Sequence, residues 1–167
     1  GHELPAGEVG TVYMGNARGE FEYFKDETKT RAGRRNGLFT VGDMGYIDPE
    51  GWLFLSDRKA DMIISGGVNI YPAEIEMVLT QCPGVKDCAV FGIPDDDFGE
   101  SLAAAVERMP ESQVTPEEIR SYLLERLAKF KVPKRIDFHE SLPREDSGKI
   151  FKRRLRDPFW QNAGRKI

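Results

Sequence analysis

Apolar residues recur along the first 57 positions in short runs separated by polar and turn residues. Gly10-Thr11-Val12-Tyr13-Met14, Phe21-Glu22-Tyr23-Phe24, Leu38-Phe39-Thr40-Val41 and Gly45-Tyr46-Ile47 are β-rich and bounded by Gly or Asn. Asp48-Pro49-Glu50-Gly51 reads as a turn, with Pro early and Gly last. Trp52-Leu53-Phe54-Leu55 then returns, so residues 46–55 are expected to form a β-hairpin. About five such strands fit part of a small barrel or sheet.

From residue 58 the pattern changes. Met62-Ile63-Ile64 and Val68-Asn69-Ile70 flank Gly66-Gly67, a two-residue hairpin signal. Pro72 suits the first turn of a helix, with Glu74 and Glu76 near its positive end. Ile75, Val78 and Leu79 keep helical spacing until Cys82-Pro83-Gly84. Strands are expected over residues 85–93 and 101–107. Thr115-Pro116-Glu117-Glu118 starts a second helix with a capping box, and Ile119, Leu123, Leu127 and Phe130 keep one face apolar. A third strand over 135–138 and a short basic helix over 150–157 complete an α+β domain. The expected division is residues 1–57 and 58–167, with no internal repeat.

At 167 residues the chain is long enough to bury a core, and 40% hydrophobic with 31% charged residues is ordinary for a soluble globular protein. No apolar run approaches the roughly 18 residues that span a bilayer, and no secretory signal opens the chain. Gly1-His2 reads as a cloning scar or a start within a longer protein. Cys82 and Cys88 fit buried thiols of a reduced, cytoplasmic protein. His2 and His139 lack metal-ligand spacing, so a zinc site is not expected. Residues 129–167 carry 12 Lys and Arg against 5 Asp and Glu, a net +7 that leaves −11 on residues 1–128. Such an end either steers a polyanion, nucleic acid or a phosphorylated small molecule, or is a solvated basic helix. Sparse aromatics weaken a single-strand stacking platform.

Three residues carry candidate chemistry. A carboxylate at Asp43, after a strand and a glycine, suits two ribose hydroxyls, although such a residue is also an ordinary turn cap. Arg58 offers five fixed donors for hydroxyls, phosphate or carboxylate, or a surface ion pair. Lys149 follows Ser147-Gly148, where glycine clears space for a phosphate and the ammonium can meet charge developing on a phosphoryl or carboxylate oxygen. The Gly-x-x-x-x-Gly-Lys-Ser/Thr spacing of a Walker loop is absent, and a solvated loop lysine is the plain alternative.

In combination these segments resemble the adenylate-forming superfamily: acyl-CoA synthetases, peptide-synthetase adenylation domains and luciferases. Thr40-Val41-Gly42-Asp43-Met44-Gly45 resembles the family's ribose-binding segment. Residues 57–76, Asp57-Arg58-Lys59-Ala60 through Glu74-Ile75-Glu76, resemble its hinge and hairpin. Leu142-Pro143-Arg144-Glu145-Asp146-Ser147-Gly148-Lys149-Ile150 resembles its C-terminal lysine motif. Ser65-Gly66-Gly67-Val68-Asn69-Ile70-Tyr71-Pro72 looks closest to fatty-acid and related acyl-CoA ligases.

The resemblance implies a mobile C-terminal α+β domain preceded by the last β-subdomain of a large AMP-binding domain. It implies ATP, CoA and a carboxylic acid as partners, and magnesium held by a preceding region. Asp43 and Arg58 would bind the AMP ribose, and Lys149 would bridge the carboxylate and the α-phosphate. Gly66 and Gly67 would let the CoA pantetheine pass, while Phe130, Lys131 and Lys134 would contact the CoA nucleotide. Ala60 stands at the hinge, where the family usually carries a charged residue, and Val132 stands where some relatives have Arg. The phosphate loop, acyl pocket and magnesium glutamate belong to the region before residue 1, so the chain is expected to be a piece of a longer enzyme, inactive alone. An adenylation unit that loads a carrier protein and a non-catalytic nucleotide- or partner-binding module are the alternatives.

Overall fold

The computed structural model describes residues 2–15, 21–161 and 163. The chain divides into two compact units, Gly1–Ala60 and Asp61–Ile167. The division lies beyond residue 57 because the last strand of the first unit runs on to Arg58 and Lys59 N–H bonds back to Gly42 O at 2.8 Å.

The first unit holds β1 (Gly10–Thr11), α1 (Glu27–Ala32), β2 (Arg34–Arg35), β3 (Leu38–Phe39), β4 (Asp43–Ile47) and β5 (Leu53–Arg58). One antiparallel sheet has the order β1-β4-β5, and β2 pairs with β3. The expected hairpin is present: Tyr46 pairs with Phe54, and Asp48 Oδ1 accepts Trp52 N–H at 2.8 Å across the turn. Residues 21–24 are not a strand. Their polar groups go to side chains instead: Arg34 holds Phe21 O, Thr30 Oγ1 accepts Tyr23 N–H, and the Phe21 ring stacks on Phe39. Helix α1 has no apolar stripe to betray it, since none of its residues is buried. It rests on Asp26, whose side chain accepts Lys29 N–H at 2.9 Å.

The second unit holds β6 (Ile63–Ser65), β7 (Val68–Ile70), α2 (Pro72–Leu79), β8 (Val85–Asp95), β9 (Gly99–Arg108), α3 (Pro116–Leu124), β10 (Arg135–His139) and α4 (Lys152–Trp160). Its sheet runs β10-β9-β6-β7, with β8 antiparallel to β9 and β10 parallel to β9. Cys88 and Val90 of β8 and Leu102, Ala104 and Val106 of β9 pack with Ile75 and Leu79 of α2 and Ile119 and Leu123 of α3. The alternate residues Ala89, Phe91, Ala103 and Ala105 pack with Leu142 and with Leu155 of α4. Both faces of the β8–β9 pair are therefore covered, which is why these strands read as continuous apolar runs.

Among the described residues β8 pairs only with β9, so its other edge needs different partners. Cys88 N–H meets Asp87 at 2.8 Å, Val90 N–H meets Glu76 at 2.6 Å, and Gly92 O accepts the Trp160 indole N–H at 3.0 Å. Pro94, next in the alternation, has no N–H to satisfy.

Helix α3 stops earlier than its apolar spacing suggests. Arg126 N–H bonds Leu123 O at 3.0 Å, a three-residue step that tightens the end. Leu127 still packs on the core, but Phe130 sits on a separate 3-10 turn, Lys129–Lys131, and is half exposed. No helix among the described residues is long and apolar enough to cross a membrane.

Candidate functional site

In the first unit, strand register brings Asp43 and Arg58 face to face. Thr40 Oγ1 accepts Gly42 N–H at 3.0 Å and Gly42 has φ +90°, which turns the chain into β4. The Arg58 Nε lies 3.7 Å from Asp43 Oδ1, with the guanidinium 63% and the carboxylate 28% exposed. That separation is looser than a hydrogen bond, so both groups keep capacity for a ligand carrying hydroxyls.

In the second unit, Lys149 sits on a miniature hairpin. Arg144 and Ile150 form an antiparallel bridge, Glu145 N–H bonds Lys149 O at 2.8 Å, and Phe151 N–H bonds Pro143 O at 2.7 Å. Gly148 N–H bonds Glu145 O at 2.8 Å, and Gly148 closes the turn at φ +83°. Lys149 is exposed, and its ammonium has no ion pair or hydrogen bond among the described residues. A cation on a fixed backbone without a counter-charge is available to an anionic ligand.

Gly66 and Gly67 connect β6 to β7 with φ +57° and +80°, the two positive values a type I′ turn requires. Gly66 N–H bonds Phe98 O at 2.9 Å, and a Cβ on Gly66 would stand 3.0 Å from the Phe98 ring. The Lys134 ammonium lies 4.9 Å from the centre of that ring and 2.7 Å from Asp95 Oδ2. Lys134 therefore joins the Gly66 turn through Phe98. Its hydrogen bond, with backbone N–H groups of Phe98 and Asp97, holds the Asp95 carboxyl down to about 2. Lys131 is clamped to both oxygens of Glu74 at 2.6 and 2.7 Å, and lies 5.8 Å from the Phe130 ring centre.

Sequence spacing marks Glu74 as a helix-start residue and marks none of Phe98, Asp95 and Glu74 as a site residue. The signal for Phe98 and Asp95 was the acidic turn Asp95-Asp96-Asp97-Phe98 between two strongly apolar strands; Asp95 Oδ1 accepts Asp97 and Phe98 N–H at 3.2 and 3.0 Å. The basic end is less free than its charge suggests, since Lys131, Lys134, Arg135, Arg144, Lys152 and Arg156 all have carboxylate partners. Ala60 is exposed and lies at the end of the first unit. No group of three or more His, Cys, Asp or Glu among the described residues is placed to hold a metal ion.

Residues 74–149, ending on Lys149, match the AMP-binding enzyme C-terminal domain. This chain belongs to the adenylate-forming superfamily. The fatty acid–[acyl-carrier-protein] ligase ScoC of Streptomyces coeruleorubidus is 42% identical over all of the chain and 32% of its own length. A long-chain-fatty-acid–CoA ligase of Mycobacterium tuberculosis is 46% identical over 83% of the chain and 27% of its own length. The ATP-bound crystal structure of MatB from Rhodopseudomonas palustris superposes with a TM-score of 0.88 and 36% identity, covering 96% of this chain and 32% of MatB. The chain thus spans about a third of the length of the adenylate-forming relatives it matches.

Proposed function

We propose that this chain is the catalytic-lysine portion of an ATP-dependent acid–thiol ligase. In the first half-reaction a carboxylate oxygen attacks the α-phosphorus of ATP and pyrophosphate leaves. In the second a thiol sulfur attacks the acyl carbon, loses its proton, and AMP leaves. Lys149 meets negative charge as it builds between carboxylate and α-phosphate. Asp43 and Arg58 hold the ribose. The observation that carries this reading is the uncompensated ammonium of Lys149 on a clamped hairpin in a chain whose relatives are acid ligases.

The second half-reaction engages the Gly66–Gly67 turn, whose bare backbone gives a pantetheine arm a close path. Phe130 and the Lys131 and Lys134 ammonium groups serve the CoA nucleotide, with phosphate replacing Glu74 and Asp95 as the lysines' partner. Ala60 serves as the hinge between the two half-reactions. Magnesium and the acyl pocket belong to a preceding domain. The first unit leaves Ile47, Trp52, Leu53 and Leu55 exposed, as a segment that packs on a larger body does.

The acceptor has a second reading, because the relative matched over the whole chain loads an acyl-carrier protein. The test supplies the full-length enzyme with ATP and carboxylic acids of graded chain length, together with CoA or a phosphopantetheinylated carrier protein. Release of AMP and pyrophosphate with thioester formation supports the proposal. Thioester on the carrier alone selects the second acceptor. No AMP from any acid contradicts both.

A further inference from the structure

We propose that Arg144 is a positioning residue for Lys149, holding the Gly148–Lys149 peptide in the orientation that adenylation requires; the inference rests on Lys149 acting as described above. The peptide unit joining these residues sets where the Lys149 side chain starts. Its carbonyl belongs to a glycine at φ +83°, the least restrained residue type for that position. The hairpin bonds of Gly148 N–H and Lys149 O lie on either side of this peptide and leave its own carbonyl to another partner; a tilt of that peptide re-aims the ammonium and makes a productive geometry rarer.

Arg144 removes that freedom. Its Nη1 donates to Gly148 O at 2.8 Å, while on the other side of the same peptide Lys149 N–H faces Ser147 Oγ at a long 3.5 Å. The second arm of the guanidinium, Nη2, pairs with Asp87 on β8. Asp87 stands opposite Glu107 on β9. Two adjacent carboxylates repel unless each has a partner. Glu107 has Lys86 and the Leu142 N–H, the latter at 3.3 Å. The stretch Leu142–Arg144 is thereby fastened at both ends to neighbouring carboxylates on a strand pair buried on both faces.

The chemistry calls for arginine. One planar fork reaches a carboxylate with one nitrogen and a carbonyl with another, which a single ammonium cannot reproduce. The Arg144–Asp87 pair is partly exposed, so it adds little to folding stability. Its consequence lies in the loop it orients, in keeping with the rule that a reacting group is placed from rigid elements behind it.

The test uses full-length enzyme and four variants: Lys149→Ala, Arg144→Ala, Asp87→Asn and the Arg144→Ala/Asp87→Asn double. Adenylation is read by ATP–pyrophosphate exchange, and the second half-reaction by thioester formation from supplied acyl-adenylate. Arg144→Ala is expected to lower the exchange kcat by about tenfold or more, with KM for acid and ATP within about twofold and thioester formation at the wild-type rate. Asp87→Asn shifts exchange the same way to a smaller extent, and the double variant is no worse than Arg144→Ala, because both act through one contact chain. Normal exchange in Lys149→Ala would remove the premise. Loss in Lys149→Ala with wild-type exchange in Arg144→Ala would overturn the positioning role itself. Equal loss of both half-reactions in Arg144→Ala, or a lowered Tm, would also overturn it by marking a structural part.

Discussion

Asp43 and Arg58, fifteen positions apart by number, stand directly opposite each other across β4 and β5 with 3.7 Å between Nε and Oδ1. The hairpin turn at Asp48–Gly51 makes that pairing, and the pair's loose geometry leaves both groups open to a diol. Hydrogen bonds to charged groups contribute about 1.5–3 kcal/mol. Asp43→Ala in the full-length enzyme is therefore expected to lower kcat/KM for ATP by about 10- to 150-fold. The same variant loses the preference for ATP over 2′-deoxy-ATP, measured as the ratio of the two kcat/KM values. A preserved ratio would remove the ribose from Asp43.

The β8 edge depends on Glu76, whose carboxylate receives Val90 N–H at 2.6 Å and Lys152 Nζ at 2.8 Å, with both side chains about four-fifths buried. Removing one member of a buried pair costs about 3–5 kcal/mol. Glu76→Ala should destabilise by about that much in urea denaturation. Glu76→Ala combined with Lys152→Met should recover part of the loss, because the stranded cation goes with its partner. An additive double variant would show that the pair is not coupled.

Ile119 and Phe130 both lie on the apolar spacing of the α3 segment, yet only Ile119 is buried. Ile119→Ala is expected to cost about 2–5 kcal/mol, from lost transfer energy plus a cavity. Phe130→Ala, on the half-exposed 3-10 turn, should stay within about 0.5 kcal/mol. Its effect should fall instead on KM for CoA. Chemical denaturation and steady-state kinetics on the two variants separate these roles.

Asp95 gives a pH signature. Lys134 and two backbone N–H groups hold its folded pKa near 2, below its ordinary 3.8. A depressed carboxylate contributes stability above its unfolded pKa and loses it as pH falls through the folded one. The stability gap between wild type and Asp95→Asn should therefore be constant above about pH 5 and shrink between pH 3.8 and about 2. Urea midpoints across that range check the sign; a gap that widens on acidification would contradict the assignment.

Periodicity carried the second unit well, because its helices bury one stripe each and its first hairpin is marked by Gly66-Gly67, as Asp48–Gly51 marks the β4–β5 hairpin of the first unit. It failed where side chains replace backbone partners. Residues 21–24 look like a strand but spend their polar groups on Arg34 and Thr30, and α1 hangs on the Asp26 cap with no buried residue. The candidate site residues Asp43 and Lys149 stand in short motifs, Thr40–Asp43 and Ser147–Lys149. What surrounds them was not. Arg144 meets Asp87 from 57 positions away, and Phe98 reaches Gly66 only because β8, β9 and β6 share a sheet. Long-range pairing of this kind leaves no local spacing to read.

On the proposed function, Lys149 serves the first half-reaction and not the second. The most direct measurement is the rate of each half-reaction in full-length enzyme carrying Lys149→Ala. Removing a preorganised charge from a developing anion costs about 10²- to 10³-fold. Adenylation, read by ATP–pyrophosphate exchange, is expected to fall by that amount while thioester formation from supplied acyl-adenylate keeps its wild-type rate. Adenylation at the wild-type rate, or equal loss in both steps, would remove Lys149 from that role.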